Sequence, residues 1–212
     1  MSPGHTQIIL WRHGQTTFNV ESRFQGQLDA PLNNVGLAQA EMAAVGLSKL
    51  PVDAIYASPL QRAHVTAQAL ARRIELPIAT DDRLMEIDVG SWEGLLAEEI
   101  YRDNPEFTRA LAEGRDARRS ETGETASEVA VRMAVALREI ASRHQGQTVV
   151  VASHGLAIRM GTASLLGWDY PTSTSLASMS NCGWTMLGAR DEGYWKLVSW
   201  NQRAEGLLLG DS

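Results

Sequence analysis

The chain has 212 residues, 44% of them hydrophobic, with a formal net charge of -6. That length suits one domain with a single substantial core, and an acidic balance without a basic stripe excludes a general nucleic-acid binder. One cysteine, Cys182, rules out an intrachain disulfide and a cysteine-based zinc site.

Residues 1–7 lack a basic stretch followed by an apolar run, so no secretory signal is read there. No apolar run is long enough to span a bilayer as a helix. With a lone cysteine fitting a reducing compartment, a cytoplasmic protein with no membrane partner is expected.

Residues 8–11 form a short apolar run, a buried strand that ends at Arg12, His13 and Gly14. Residues 16–31 are polar and turn-rich and read as a long loop. Asn33 or Asn34 caps a helix running to about Leu50, with Leu37, Ala40, Ala44 and Leu47 as its apolar stripe and Pro51 as its stop. Residues 53–57 are a second strand. Serine at the cap and proline at the first helical position make 58–59 a helix start, so a helix is predicted over 59–73.

Residues 77–80 give a third short strand, 82–94 a loop and 95–114 an irregular helix. Arg115, Arg118 and Arg119, flanked by Glu113, Asp116 and Glu121, read as a solvated face. Thr125 and Glu128 match a capping box. The helix that follows carries Val129, Met133, Ala136, Leu137 and Ile140 on one face and closes at Gln145 and Gly146. Residues 148–152 are a β-branched strand followed by Ser153, His154 and Gly155, then a helix over 156–166. Residues 184–187 and 194–199 are two strands joined by a turn at 191–193. Alternating strands and helices predict an α/β fold over 1–212, a single-domain three-layer sandwich. It has a mostly parallel sheet, helices on both faces and an antiparallel edge from the last two strands.

Two histidines directly follow predicted strands, and ligands of open α/β sheets bind at the carboxyl ends of strands. His13, His154, Arg12 and Arg62 therefore converge on one rim if the strands are neighbours. The residue types suit phosphate chemistry. A neutral imidazole is a nucleophile at pH 7, and arginine stays charged and grips phosphate oxygens with its planar fork. Gly14 and Gly155 would let the backbone approach an anion, and the helix starting near Pro59 would add its dipole. A leaving alkoxide needs a proton. On residue chemistry Glu86, Asp88 and Glu93 are equivalent donors, and Glu86 is chosen. His5, His64 and His144 read as structural or solvated, and no HExxH-type spacing points to a metal.

Taken together, these residues resemble the histidine phosphatase superfamily, the phosphoglycerate mutase-like family. Arg12-His13-Gly14-Gln15-Thr16 with Asn19 is similar to its first motif. Ser58-Pro59-Leu60-Gln61-Arg62-Ala63 with Thr66-Ala67 is similar to the second, and residues 84–94 to the third. Gly123-Glu124-Thr125 resembles a Gly-Glu-Ser element, and Ser153-His154-Gly155 the last motif. The resemblance implies a phosphohistidine at His13 and a phosphate pocket of Arg12, Arg62 and His154, with Asn19 as a further polar contact. It also implies Glu86 as proton donor and later base, a protonated His154 while phosphate is held, and neither metal nor organic cofactor.

Mutases of the family usually carry an extra segment after the third motif and often read Arg-His-Gly-Glu-Ser in the first. The short chain and Gln15-Thr16 favour hydrolysis of a small phosphate ester over a mutase. The run from Asn19 to Asp29, with Asn181, Trp184 and Trp200-Asn201, most resembles actinobacterial glucosyl-3-phosphoglycerate phosphatases. A third reading is an inactive phospho-ligand binding module. Gln25, Gly26, Trp92, residues 101–121 and Leu156 are candidates for the leaving-group pocket, with Gly155 beside the phosphate. The tryptophans Trp184, Trp195 and Trp200 pack in a core or form a homodimer contact.

Overall fold

Strand β1 (Thr6–Arg12) sends Ile8 and Leu10 to one face of the sheet and Ile9 and Trp11 to the other, and all four are fully buried. A strand buried on both sides requires helices above and below it. The computed structural model describes residues 5–189 and 193–204. In chain order, β1 is followed by α1 (Thr17–Val20), α2 (Asn34–Leu47), β2 (Val52–Ala57), α3 (Gln61–Ile74) and β3 (Ile78–Thr80). Two 3-10 turns, Asp82–Leu84 and Gly90–Trp92, lead to α4 (Ala97–Asp103), α5 (Pro105–Ala112) and α6 (Ala126–Arg143). Then come β4 (Thr148–Ser153), α7 (Gly155–Leu165), α8 (Tyr170–Ser173), β5 (Trp184–Ala189) and β6 (Trp195–Gln202).

The six strands form one sheet in the order β3-β2-β4-β1-β5-β6. The first four in that order pair in parallel, and β5 and β6 add the expected antiparallel edge. Val149 and Val151 join α6 and α7 in one core, while Val150 and Ala152 join α2 and α3 in the other. The sandwich thus has three layers. The helices that follow the neighbouring strands β1 and β4 lie on opposite faces, which opens a crevice at their carboxyl ends.

Several local expectations change. The buried face of α2 is Gly36, Gln39, Ala40, Ala43, Ala44 and Leu47, while Leu37 is 45% exposed. Small side chains, one step off the stripe chosen by apolarity, carry the helical period. Helix α3 begins at Gln61 with Leu60 at its cap, not at Pro59 with Ser58. Its first N–H is taken by Asp29 Oδ1 at 2.6 Å, so its positive end is already answered by the protein.

The loop 16–31 contains α1, closed by a capping box between Thr16 and Asn19, and the irregular helix is two helices broken at Asn104-Pro105. Helix α8 was not predicted. Both short helices fall below the length at which periodicity registers. Trp184 and Trp195 are buried in the core, and Trp200 is half-buried with its indole N–H on Ala177 O. The turn expected at 191–193 falls largely outside the described residues. Among the described residues no helix is long and apolar enough to cross a membrane.

Candidate active site

The parallel ladder sets Arg12 of β1 opposite Ser153 of β4. Each strand is followed by a histidine, and the rings of His13 and His154 have centroids 5.2 Å apart at an interplanar angle of 57°. Both are buried. His13 Nδ1 lies 2.7 Å from Gly14 O. A carbonyl can only accept, so Nδ1 carries the proton and Nε2 keeps its lone pair. Burial, then the Arg62 and Arg12 guanidinium groups, holds His13 well below the usual imidazole value, so the ring is neutral at pH 7. His154 is held low by burial first, then by Arg62 and His13. Its Nε2 lies 2.8 Å from Ser58 Oγ, and its Nδ1 is buried without a partner.

Arg62, in the first turn of α3, is fully buried. Its Nη1 donates to Leu28 O at 2.8 Å and its Nη2 to Gly26 O at 2.7 Å. Burial brings it down to about 10, still charged at pH 7. Arg12 donates through Nη1 to Met179 O, and burial lowers its value too. The Nε atoms of both arginines are buried and unpartnered. Buried charged donors without acceptors are costly, and an oxyanion between them would satisfy both.

Glu86 borders the same crevice. Its carboxylate accepts from Ile87 N and Ala157 N, both at 2.9 Å, and from Leu156 N at 3.2 Å. His154 gives α7 no side-chain cap, so Glu86 supplies one from a distant segment. The backbone around Glu86 is fixed by Arg132 of α6. Arg132 donates to Arg83 O at 2.8 Å, Met85 O at 2.6 Å and Glu86 O at 2.8 Å, and it pairs with Glu124 at 2.8 Å. Glu124 also accepts from Asp88 N at 2.9 Å. The Gly123-Glu124-Thr125 motif thus acts as a clamp on the proton-donor segment, and Asp88 is held by that clamp rather than presented to the cavity.

A cavity of about 310 Å³ opens here, bordered by the polar Arg12, His13, Arg62 and Glu86 and by the apolar or aromatic Phe24, Tyr101, Phe107, Leu111 and Tyr170. Gln25, Gly26 and Leu156 border it as anticipated, and Gly155 borders an adjoining cavity of about 220 Å³. A Cβ on Gly155 would sit 3.3 Å from Arg12 Nε, so this glycine leaves room for the guanidinium. His154 is not part of the lining but lies against His13.

Three assignments change. Asn19 spends its Oδ1 on Thr16 N and Asn181 Nδ2 and does not border the cavity, so it organises the loop after β1. Gly14 offers no N–H to a ligand, because that group donates to Thr66 Oγ1 at 3.1 Å. Trp92 lies behind the lining, edge-on to Phe24 and Phe107.

Arg119, read as part of a solvated face although it lies in the stretch 101–121 named for the leaving-group pocket, borders the cavity, is 5% exposed, pairs with Asp116 at 3.0 Å and lies over the Phe107 ring. Sequence reasoning also missed residues. Phe24, Arg159 and Tyr170 border the cavity without having been singled out. The spacing of Leu156 and Arg159, three apart just after the histidine motif, was the one available signal. Among the described residues no group of three or more His, Cys, Asp or Glu is arranged to hold a metal ion.

Comparison with known proteins places this geometry. Residues 8–203 match the model of the histidine phosphatase superfamily (branch 1). The chain is 39% identical to phosphoserine phosphatase 1 of Hydrogenobacter thermophilus over 163 residues, 77% of each chain. It is 34% identical to glucosyl-3-phosphoglycerate phosphatase of Mycobacterium tuberculosis over 215 residues, 94% of this chain and 96% of that one. A solved mycobacterial glucosyl-3-phosphoglycerate phosphatase complexed with VO3 superposes with a TM-score of 0.85 at 35% identity, covering 92% of this chain and 98% of that one.

Proposed function

The chain belongs to the histidine phosphatase superfamily and is a phosphatase, and we propose that it hydrolyses small phosphomonoesters through a phosphohistidine at His13. One observation carries the reading: a neutral buried imidazole with a free Nε2 shares a crevice with buried Arg62 and half-buried Arg12, whose buried Nε donors are unspent.

In the first step Nε2 of His13 attacks phosphorus and the P–O ester bond breaks. Arg12 and Arg62 hold the non-bridging oxygens, where phosphoryl transfer concentrates negative charge. Glu86 gives its proton to the leaving oxygen. In the second step water attacks the phosphohistidine, Glu86 takes the proton, and the P–N bond breaks to return neutral His13. His154 is neutral among the protein's own charges, and a phosphate dianion beside it would favour the imidazolium.

Incubation with a phosphomonoester labelled in its phosphoryl group, followed by quenching, tests this. An acid-labile, base-stable label on His13 is the expected result; wild-type turnover by His13→Ala would overturn it. Glucosyl-3-phosphoglycerate is the proposed substrate, by likeness to the mycobacterial enzymes, and a phosphate-release screen across phosphorylated metabolites checks it. The mutase and binding-module readings have less support beside relatives named as phosphatases. Isomer formation from 3-phosphoglycerate without phosphate release would favour the first, and tight binding without turnover the second. A cytoplasmic homodimer completes the proposal, with light scattering as the check on its size.

A further inference from the structure

The cavity holds one more positive charge than the reacting phosphate uses. Among the described residues four arginines border it and one carboxyl, Glu86. Arg12 and Arg62 serve the phosphate. Arg119 is answered by Asp116 at 3.0 Å and by the carbonyl of Ala117. Arg159 is different. It lies on α7 one turn beyond Leu156, borders both the main cavity and its smaller neighbour, and forms no hydrogen bond or ion pair with any described residue. Its Nε is buried without a partner. A half-buried guanidinium with idle donors facing a cavity asks for an anion that the protein does not supply.

We propose that Arg159 is a specificity residue that binds a carboxylate on the leaving group, so that the preferred substrates are phosphate esters of hydroxy acids. The inference rests on the phosphatase reading above and deepens it. Charge matching selects a carboxylate over a second phosphate. Arg12 and Arg62 balance the dianion that reacts, and Arg159 alone remains for a monoanion, which its planar fork fits bidentately. A second phosphate dianion would need Arg119 as well, and Asp116 already takes that charge. The position also fits. Arg12, Glu86, Leu156 and Arg159 border both cavities, so the group next to the ester oxygen would meet Arg159 as it leaves past Glu86.

The test compares 3-phosphoglycerate with glycerol 3-phosphate, which differ in a carboxylate against a hydroxymethyl group. Phosphate release is followed for the wild type, Arg159→Gln and Arg159→Lys. A charge-assisted hydrogen bond of this kind is worth on the order of ten- to a hundredfold. The wild type should favour 3-phosphoglycerate in kcat/KM by about that factor. Arg159→Gln should collapse the ratio toward one, chiefly through KM, and Arg159→Lys should restore part of it. If Arg159→Gln does not fold, the Lys variant still reads the same change with smaller size. Equal loss on both esters, or no preference in the wild type, overturns the proposal while leaving the phosphatase reading intact. If neither ester turns over, calorimetric binding of the same pair decides the subsite separately: tighter binding of 3-phosphoglycerate that Arg159→Gln abolishes supports it, and equal binding of the two overturns it, while the phosphatase reading is decided by the wider phosphate-release screen.

Discussion

The hydroxyl of Ser58 and Nε2 of His154 lie 2.8 Å apart, joining the loop after β2 to the residue after β4. Ser58 is held by its own N–H on Ala152 O at 2.9 Å, and its Oγ accepts from Leu60 N at 3.3 Å. That leaves the hydroxyl proton or a lone pair for the imidazole, which fixes the ring and turns its other nitrogen, Nδ1, free. Ser58→Ala leaves a fully buried nitrogen unsatisfied. Stability should fall by about 1–3 kcal/mol, read by denaturant unfolding, and kcat should fall about tenfold with less change in KM. An unchanged kcat would remove Ser58 from the machinery.

Both active-site histidines have folded-state values depressed below 6.5, mainly by burial. The unfolded chain therefore binds protons near that pH that the folded protein refuses. Stability is fully present above pH 6.5 and is lost as pH falls below it, by about 1.4 kcal/mol per pH unit for each ring. Unfolding measured in phosphate-free buffer from pH 7.5 to pH 5 should show the slope, and His13→Gln should roughly halve it. A flat profile would mean that the rings are charged in the folded protein.

A general acid matters in proportion to how badly the leaving group needs a proton. Glu86→Gln keeps one oxygen able to accept from Ile87 and Ala157 N–H, gives up the acceptor for Leu156 N–H, and has no carboxyl proton to give. With p-nitrophenyl phosphate, whose leaving group departs as an anion, the variant should lose less than about tenfold. With an alkyl ester it should lose on the order of a hundredfold or more. Equal losses would reassign Glu86 to a purely structural cap.

What was legible in the sequence follows physical locality. His13 and His154 could be placed because each sits directly behind a short β-branched or apolar strand, and strand ends are local signals. Their adjacency could not, since the β1–β4 pairing spans 141 residues in the register Gln7 to Thr148 (148 minus 7). Thr125 and Glu128 were readable because a capping box is complete within four residues. Ser58 was misread as a cap because its partner, His154, lies 96 residues away. Arg119 was misread because an acidic neighbourhood looks the same whether it is solvated or folded over Phe107.

Arg132 is half-buried beside the catalytic segment and holds three of its carbonyls while pairing with Glu124. Arg132→Met keeps the length and removes every one of those donors, leaving Glu124 half of its partners. The segment bearing Glu86 should loosen. A loss of about 1.5–3 kcal/mol in stability is expected for removing these charge-assisted hydrogen bonds, with a further fall in kcat for alkyl esters that p-nitrophenyl phosphate shows less. Equal kcat on both esters would separate the clamp from the proton donor.

The two glycines beside the histidines should fail in opposite ways. A Cβ on Gly14 would stand 2.4 Å from Gly36 O and 2.9 Å from Gly36 C, so backbone meets backbone where the loop after β1 crosses the start of α2. Neither side can yield without moving His13 or unseating α2, and Gly14→Ala should cost about 3 kcal/mol or more. A Cβ on Gly155 would instead meet Arg12 Nε at 3.3 Å, a side chain that can shift by a few tenths of an ångström. Alanine also suits the first turn of α7 better than glycine, by roughly 0.5–1 kcal/mol. Gly155→Ala should therefore keep wild-type stability while displacing Arg12 from the oxyanion, with kcat/KM down about tenfold. Thermal unfolding and phosphate release, measured on both variants, check the pair; equal effects on fold and activity in both would refute the division of labour drawn between them.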